Sequence, residues 1–224
     1  MEKYYLGISL VICLLLAFSA CNLYASATGL NNIPTTDVAP KKTLVLQNWI
    51  NAAENHVPEY RAGFKYGLIE RVEIGIDAKV GSRNAGPVSG QIKYQLPLDS
   101  ADSKFQSLVG IENISSNSKR LGITNPYVAL SYRFDILRLH MGYNFQDNNE
   151  GTFAGIDKTV KFAGRDLTLR SDIKETNRRD HVLGSIGFIY ALPQNFLIEN
   201  WLSIPSDSTE ETIFTIKLNY VIKF

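Results

Sequence analysis

Cysteine is nearly absent from this chain of 224 residues, and both cysteines, Cys13 and Cys21, lie near its start. Beyond Cys21 there is no thiol, which excludes disulfide staples, cysteine nucleophiles and cysteine-ligated metal sites from the rest of the chain. A surplus of charge is lacking too: 23 basic against 22 acidic residues give a net charge of +1. A nucleic-acid binder of this size should show a basic excess, so the balance argues against that class and no nucleic-acid partner is expected. Only one long apolar run exists, residues 6–18 (LGISLVICLLLAF), and it is too short to cross a bilayer comfortably as a helix. From Thr43 onward no segment has a convincing helical period. No Walker loop, dinucleotide fingerprint or metal-ligand motif is present, so no cofactor and no metal are expected.

What is there begins with an export signal. Lys3, the apolar run and the small residues Ala25-Ser26-Ala27 have the order of a secretory leader, with small side chains where signal peptidase needs them. Residues 1–27 are therefore expected to be a signal peptide, cleaved after Ala27. Phe18-Ser19-Ala20-Cys21 is a rival processing site that resembles a lipobox and would leave a lipid-anchored Cys21. Residues 28–42 (TGLNNIPTTDVAPKK) are polar and contain Pro34 and Pro40. They are expected to be a loosely ordered periplasmic lead-in to a single domain, 43–224.

That domain alternates. Val72, Ile74, Ile76, Ala78 and Val80 interleave with Glu73, Gly75, Asp77 and Lys79. Leu137, Leu139, Met141, Tyr143 and Phe145 interleave with Arg138, His140, Gly142, Asn144 and Gln146. Period two gives a strand one apolar and one polar face. Twelve such runs are found, near 43–50, 60–66, 71–80, 88–96, 105–112, 126–134, 137–146, 152–160, 166–173, 181–191, 196–203 and 212–224. The runs near 43–50, 152–160 and 196–203 alternate poorly, so ten strands is the alternative count.

A soluble barrel alternates as well, with its apolar face inward. The C-terminus argues for the membrane. Phe214, Ile216, Leu218, Tyr220, Ile222 and Phe224 form an unbroken apolar face, and the chain stops on Phe224. Here it resembles bacterial outer-membrane β-barrel proteins, whose final strand ends in an aromatic residue read by the barrel-assembly machinery. The resemblance covers nearly all of the chain after the leader and implies a closed antiparallel transmembrane barrel in the outer membrane. Tyr220, Ile222 and Phe224 would be the assembly signal, and lipid, lipopolysaccharide and that machinery the partners. With the last strand ending in the periplasm, the inner turns come out mostly short and the outer loops mostly longer and more polar, as this class requires. Outer loops are expected at 51–59, 113–125, 174–180 and 204–211. The same topology puts Tyr66, Tyr94, Tyr132 and Tyr190 in a belt at the periplasmic interface, where an apolar ring and a wet hydroxyl are both at home.

Residues opposite the lipid face should line the lumen: Arg61, Lys65, Glu73, Asp77, Lys79, Lys93, Arg133, Arg138, His140, Arg170, Asp172, Lys217 and Lys223. Bases outnumber acids among them. The expectation is a passive, water-filled pore that leans toward small anions, because fixed positive charge lowers their barrier to passage. A filled structural barrel is the alternative. A lipid hydrolase is the second alternative, since outer-membrane phospholipases resemble this size class and use Ser and His. Ser131 and His140 would face each other across adjacent strands, but catalysis needs a third group to orient the base, and none is evident in the sequence. No enzyme activity is therefore expected. Arg178 and Arg179 on an outer loop suit lipopolysaccharide phosphates. Oligomeric state is left open.

Overall fold

In a computed structural model of the chain, residues 28–81, 88–97, 104–115, 124–146, 150–175 and 181–224 are described. Residues 1–27, with Cys13 and Cys21, and the Arg178–Arg179 pair lie outside them. The alternating runs form twelve strands: β1 (Thr43–Ala53), β2 (His56–Ile69), β3 (Val72–Val80), β4 (Ser89–Gln95), β5 (Phe105–Ile114), β6 (Asn125–Arg133), β7 (Arg138–Asn144), β8 (Gly151–Phe162), β9 (Arg165–Glu175), β10 (Val182–Ala191), β11 (Phe196–Pro205) and β12 (Ile213–Lys223). Each pairs antiparallel with its sequence neighbours. β12 returns to β1, from Thr43↔Lys223 to Ala52↔Phe214, and closes the barrel. Closure leaves no edge, which a sheet in hydrocarbon requires. Phe224 N–H donates to Lys42 O at 3.0 Å, so the two ends of the barrel domain meet at this seam.

Connections at the end of the barrel where β1 begins are mostly short; we call this the turn end and the opposite rim the loop end. The 51–59 loop is a correction: β1 and β2 continue through it, and only residues 54 and 55 turn. At the loop end, Glu211 accepts from His56 Nδ1 at 2.8 Å and from Asn55 Nδ2 at 2.7 Å. These bonds hold its carboxyl below the usual carboxylate range.

The apolar residues point outward. Ile76, Ile92, Met141, Ile156, Ile186, Phe214, Ile216 and Leu218 are all exposed, the reverse of a soluble barrel. Tyr66, Tyr94, Tyr132 and Tyr190 stand on this outer face near the turn end, each opposite apolar cross-strand neighbours such as Ile74, Val72, Leu139 and Leu167. Aromatic contacts lie at the same end, with Tyr132 edge-on to Phe134 at 4.7 Å and Tyr220 stacked on Phe196 at 4.6 Å. Replacing Ile76 by Arg should cost about 2–4 kcal/mol at mid-depth, read as a lowered urea midpoint for barrel folded into vesicles. Wild-type stability in that variant would invert the assignment of faces.

The lead-in does not lie outside the barrel. Residues 28–39 run inside it, with Thr35 and Thr36 fully covered, and residues 40–42 are exposed at the rim. The backbone enters at the turn end, where Lys42 N–H donates to Gly67 O at 2.8 Å. It folds back on itself at Leu30–Ile33, with Gly29 bridged to Pro34. Gly67 permits this passage, because a Cβ there would lie 2.0 Å from Pro40 O. Gly155 does the same at the hairpin tip, where a Cβ would lie 2.4 Å from Leu30 Cδ1. Leu30 and Ile33 pack with Leu108, Tyr127, Ala129 and Phe153 into a small apolar cluster within the lumen.

Candidate functional site

The site is the lumen wall together with this internal plug. Alternation aims every second residue inward. The structure places Arg61, Lys65, Glu73, Asp77, Lys79, Lys93, Arg138, His140, Arg170, Asp172 and Lys217 on that inner face. Their surroundings differ from the wet channel expected. Glu73, His140 and Arg170 are each 2% exposed or less, because the plug covers them.

Polar groups join plug to wall along its whole length. Glu73 Oε2 accepts from Ala39 N–H at 2.7 Å, while Gln91 holds its other oxygen. Arg138 binds Asp37 through both terminal nitrogens, at 2.7 and 2.8 Å, and also reaches Asp157 at 2.7 Å. Asp157 accepts from His140 Nε2 at 3.0 Å. Because an ionised carboxylate can only accept, Nε2 carries a ring proton, and Nδ1 is hydrogen-bonded to Ser131 Oγ at 2.7 Å. Ser131 in turn meets Thr36 Oγ1 at 2.8 Å. Thr36 and Asp37 are adjacent, so these six side chains close a ring that latches the plug to β6, β7 and β8. At the tip, Asp172 Oδ2 accepts from the Asn31 and Asn32 amides at 2.9 and 3.2 Å. The Asn31 and Asn32 side chains donate to Ser185 Oγ and Ser203 Oγ. Lys93 Nζ donates to Thr28 O.

Asp157 supplies the third group that was missing for a Ser131–His140–Asp157 constellation. Ser131 is 3% exposed and its hydroxyl is engaged by Thr36, so no ester carbonyl reaches it while the plug is seated. In this state the arrangement acts as a latch.

Five acidic wall or plug residues were not read from the sequence as lumen groups: Asp37, Glu59, Glu112, Asp157 and Glu199. Glu199 binds Arg170 at 2.6 Å and stands 3.7 Å from Lys217. Glu59 takes both Arg61 and Lys79, at 2.5 and 2.8 Å, and Asp77 takes Lys65 at 3.1 Å. Most of the basic surplus is thereby paired. Trp49 and Trp201 also face inward, with the Arg170 guanidinium 5.4 Å from the Trp201 ring and Lys217 Nζ 5.6 Å from that of Trp49. Arg133 and Lys223 are exposed at the turn end, away from this network. Beside the plug hairpin remains a cavity of about 210 Å³. Lys65, Lys93 and Lys217 line it with Gln91, Glu112, Tyr127, Glu199 and Trp201.

This closed, outward-apolar barrel has the fold of outer-membrane porins. A KdgM porin, solved in complex with disordered oligogalacturonate, is similar at a TM-score of 0.59 and 12% identity, over 80% of this chain and 98% of that one. A mutant form of the Rh. blastica porin is similar at a TM-score of 0.42 and 12% identity, over 73% of this chain and 55% of that one. No protein-family model matches the chain, and no curated protein matches it.

Proposed function

We propose that this protein is an outer-membrane barrel that passes small solutes, leaning toward anions, along a lumen narrowed by its own N-terminal segment. The turn end faces the periplasm, and residues 1–27 direct export. The observation that carries the reading is the convergence of Lys65, Lys93 and Lys217 on the cavity beside the plug, against the two carboxylates Glu112 and Glu199. Three lysines around a space of this size suit a small anion even though Lys65 is shared with Asp77 and Lys217 with Glu199, since Lys93 donates to the neutral carbonyl of Thr28. Trp201 and Tyr127 add flat apolar surface on which a sugar ring can stack. The fold shared with a porin whose complex holds an acidic oligosaccharide supports the same direction.

Reversal potentials across a salt gradient in planar bilayers test the reading. The expected result is anion preference, strongest at low salt, where screening reaches beyond about 10 Å. Lys93→Gln with Lys217→Gln should reduce or abolish that preference. Cation selectivity in the unmodified protein would overturn the anion reading. No conductance in any variant would favour a filled structural barrel. Release of fatty acid from phospholipid, lost in His140→Ala, would favour the hydrolase reading.

A further inference from the structure

Polar side chains interrupt the apolar exterior at several described positions, among them Lys158 on β8 and Ser107 on β5, and two of them are amides that flank β12. Asn48 on β1 and Asn200 on β11 occupy outward positions: Asn48 lies between the inward Gln47 and Trp49, and Asn200 between Glu199 and Trp201. Their cross-strand neighbours are apolar, Leu218 and Ala62 for Asn48, Ile216 and Phe188 for Asn200. Neither amide has a hydrogen-bond partner among the described residues. Ser171, also outward, donates to Ser185 O at 2.7 Å and is satisfied within its own sheet. A carboxamide offers two donors and one acceptor oxygen, and hydrocarbon provides nothing to meet them.

The two amides also share a depth. Tracing hydrogen-bonded partners from β1 through β12 descends toward the turn end: Ala52, near the top of β1, leads by way of Phe214, Leu202, Ile186, Ser171, Ile156, Leu139 and Tyr132 to Phe105, the first residue of β5. By the same steps Asn48 leads through Leu218 to Ile198. Asn200 lies two residues further up β11, which offsets the descent. The amides therefore stand level, about 11–12 Å apart across β12, too far to bond each other.

From this level pair we infer that the protein forms a two-fold homodimer in the membrane through the outer face of β12. A two-fold axis along the membrane normal, set against β12, brings β1 of one copy opposite β11 of the other. Asn48 then meets Asn200 of the second copy, twice, at one depth. The surface is self-complementary, as a closed two-fold contact requires. Amide bonds across it replace contacts that lipid cannot supply. Leu46, Ile198, Ile216 and Leu218 would fill the contact around them. The inference rests on the barrel fold and not on what passes through it.

The test is association in lipid vesicles, followed by energy transfer between copies labelled at a loop-end position while the protein-to-lipid ratio is varied. Wild-type protein should dimerise. Asn48→Leu and Asn200→Leu should each fold normally, as judged by heat-modifiable mobility, and weaken association about tenfold or more, since each removes half of both amide pairs. Introducing cysteine at 48 in one population and at 200 in another should give a 48–200 cross-link on mixing, in preference to 48–48. Monomeric wild type at all densities, unchanged association in the leucine variants, or dominant 48–48 cross-linking would each overturn it.

Discussion

Deleting residues 28–38, with residue 27 joined directly to Ala39, should convert a barrel of low and fluctuating conductance into one that conducts steadily and several-fold better. Twelve strands enclose an interior between the side-chain-filled eight-stranded barrels and the open porins, so whatever occupies the lumen decides its passage. Here the occupant is held by the Arg138–Asp37 pair, the Thr36–Ser131 bond and the Asn31 and Asn32 contacts to Asp172. The deletion removes all of these while leaving every strand and the Lys42–Gly67 bond in place. Asp37→Ala should give an intermediate result, with frequent openings, because it cuts one side of the latch and leaves the tip attached. Planar-bilayer recording of the three proteins provides the comparison. Equal, steady conductance in wild type and deletion would mean that the plug does not control passage.

Glu199→Leu should destabilise the folded barrel by about 3–5 kcal/mol, the usual cost of stranding a buried charge. Glu199 is 2% exposed and is the shared partner of Arg170 and Lys217; Asn219 also donates to it. Its loss leaves two cations without their counter-ion in a covered part of the lumen. Adding Arg170→Met should recover much of the loss, since replacing both members of a buried pair is often close to neutral. Urea unfolding from vesicles reads both. A full effect that persists in the double variant would show that Glu199 acts through packing instead of charge.

The strands and the direction their side chains face were legible because a strand with lipid on one side must alternate strictly. Val72–Val80 and the C-terminal strand do so. The parts that were not legible lie where that rule relaxes. β11 puts Leu197 and Trp201 inward and Asn200 outward, so its parity was obscured and Glu199 was missed. β8 alternates poorly for a similar reason, with Phe153 inward against the plug, and Asp157 went unread with it. Glu59 was assigned to a loop because β2 begins earlier than its apolar pattern. The plug left almost no trace of its own. It has no period, since its partners are spread over strands from β3 to β11, and Leu30 and Ile33 are its main apolar anchors. Inward glycines at 67 and 155 were the sign that something passes close to the wall. Without the plug, Glu73 and Arg138 read as wet channel groups, whereas the structure covers the first and shares the second between two carboxylates.

The plug's place ahead of the strands sets an order on biogenesis. It emerges before them, yet Asn32 cannot meet Ser203 until β11 has been made, 171 positions later. Until then the segment must wait as free chain beside unsealed strands that offer open backbone edges. Its composition suits that interval: Pro34 and Pro40 carry no N–H to donate to such an edge, and the polar side chains between them give little cause to aggregate. The same polarity later supplies the bonds that hold it. One short stretch of sequence is thus constrained twice, once to remain unpaired while the barrel is incomplete and once to bond to the wall when the β1–β12 seam shuts around it.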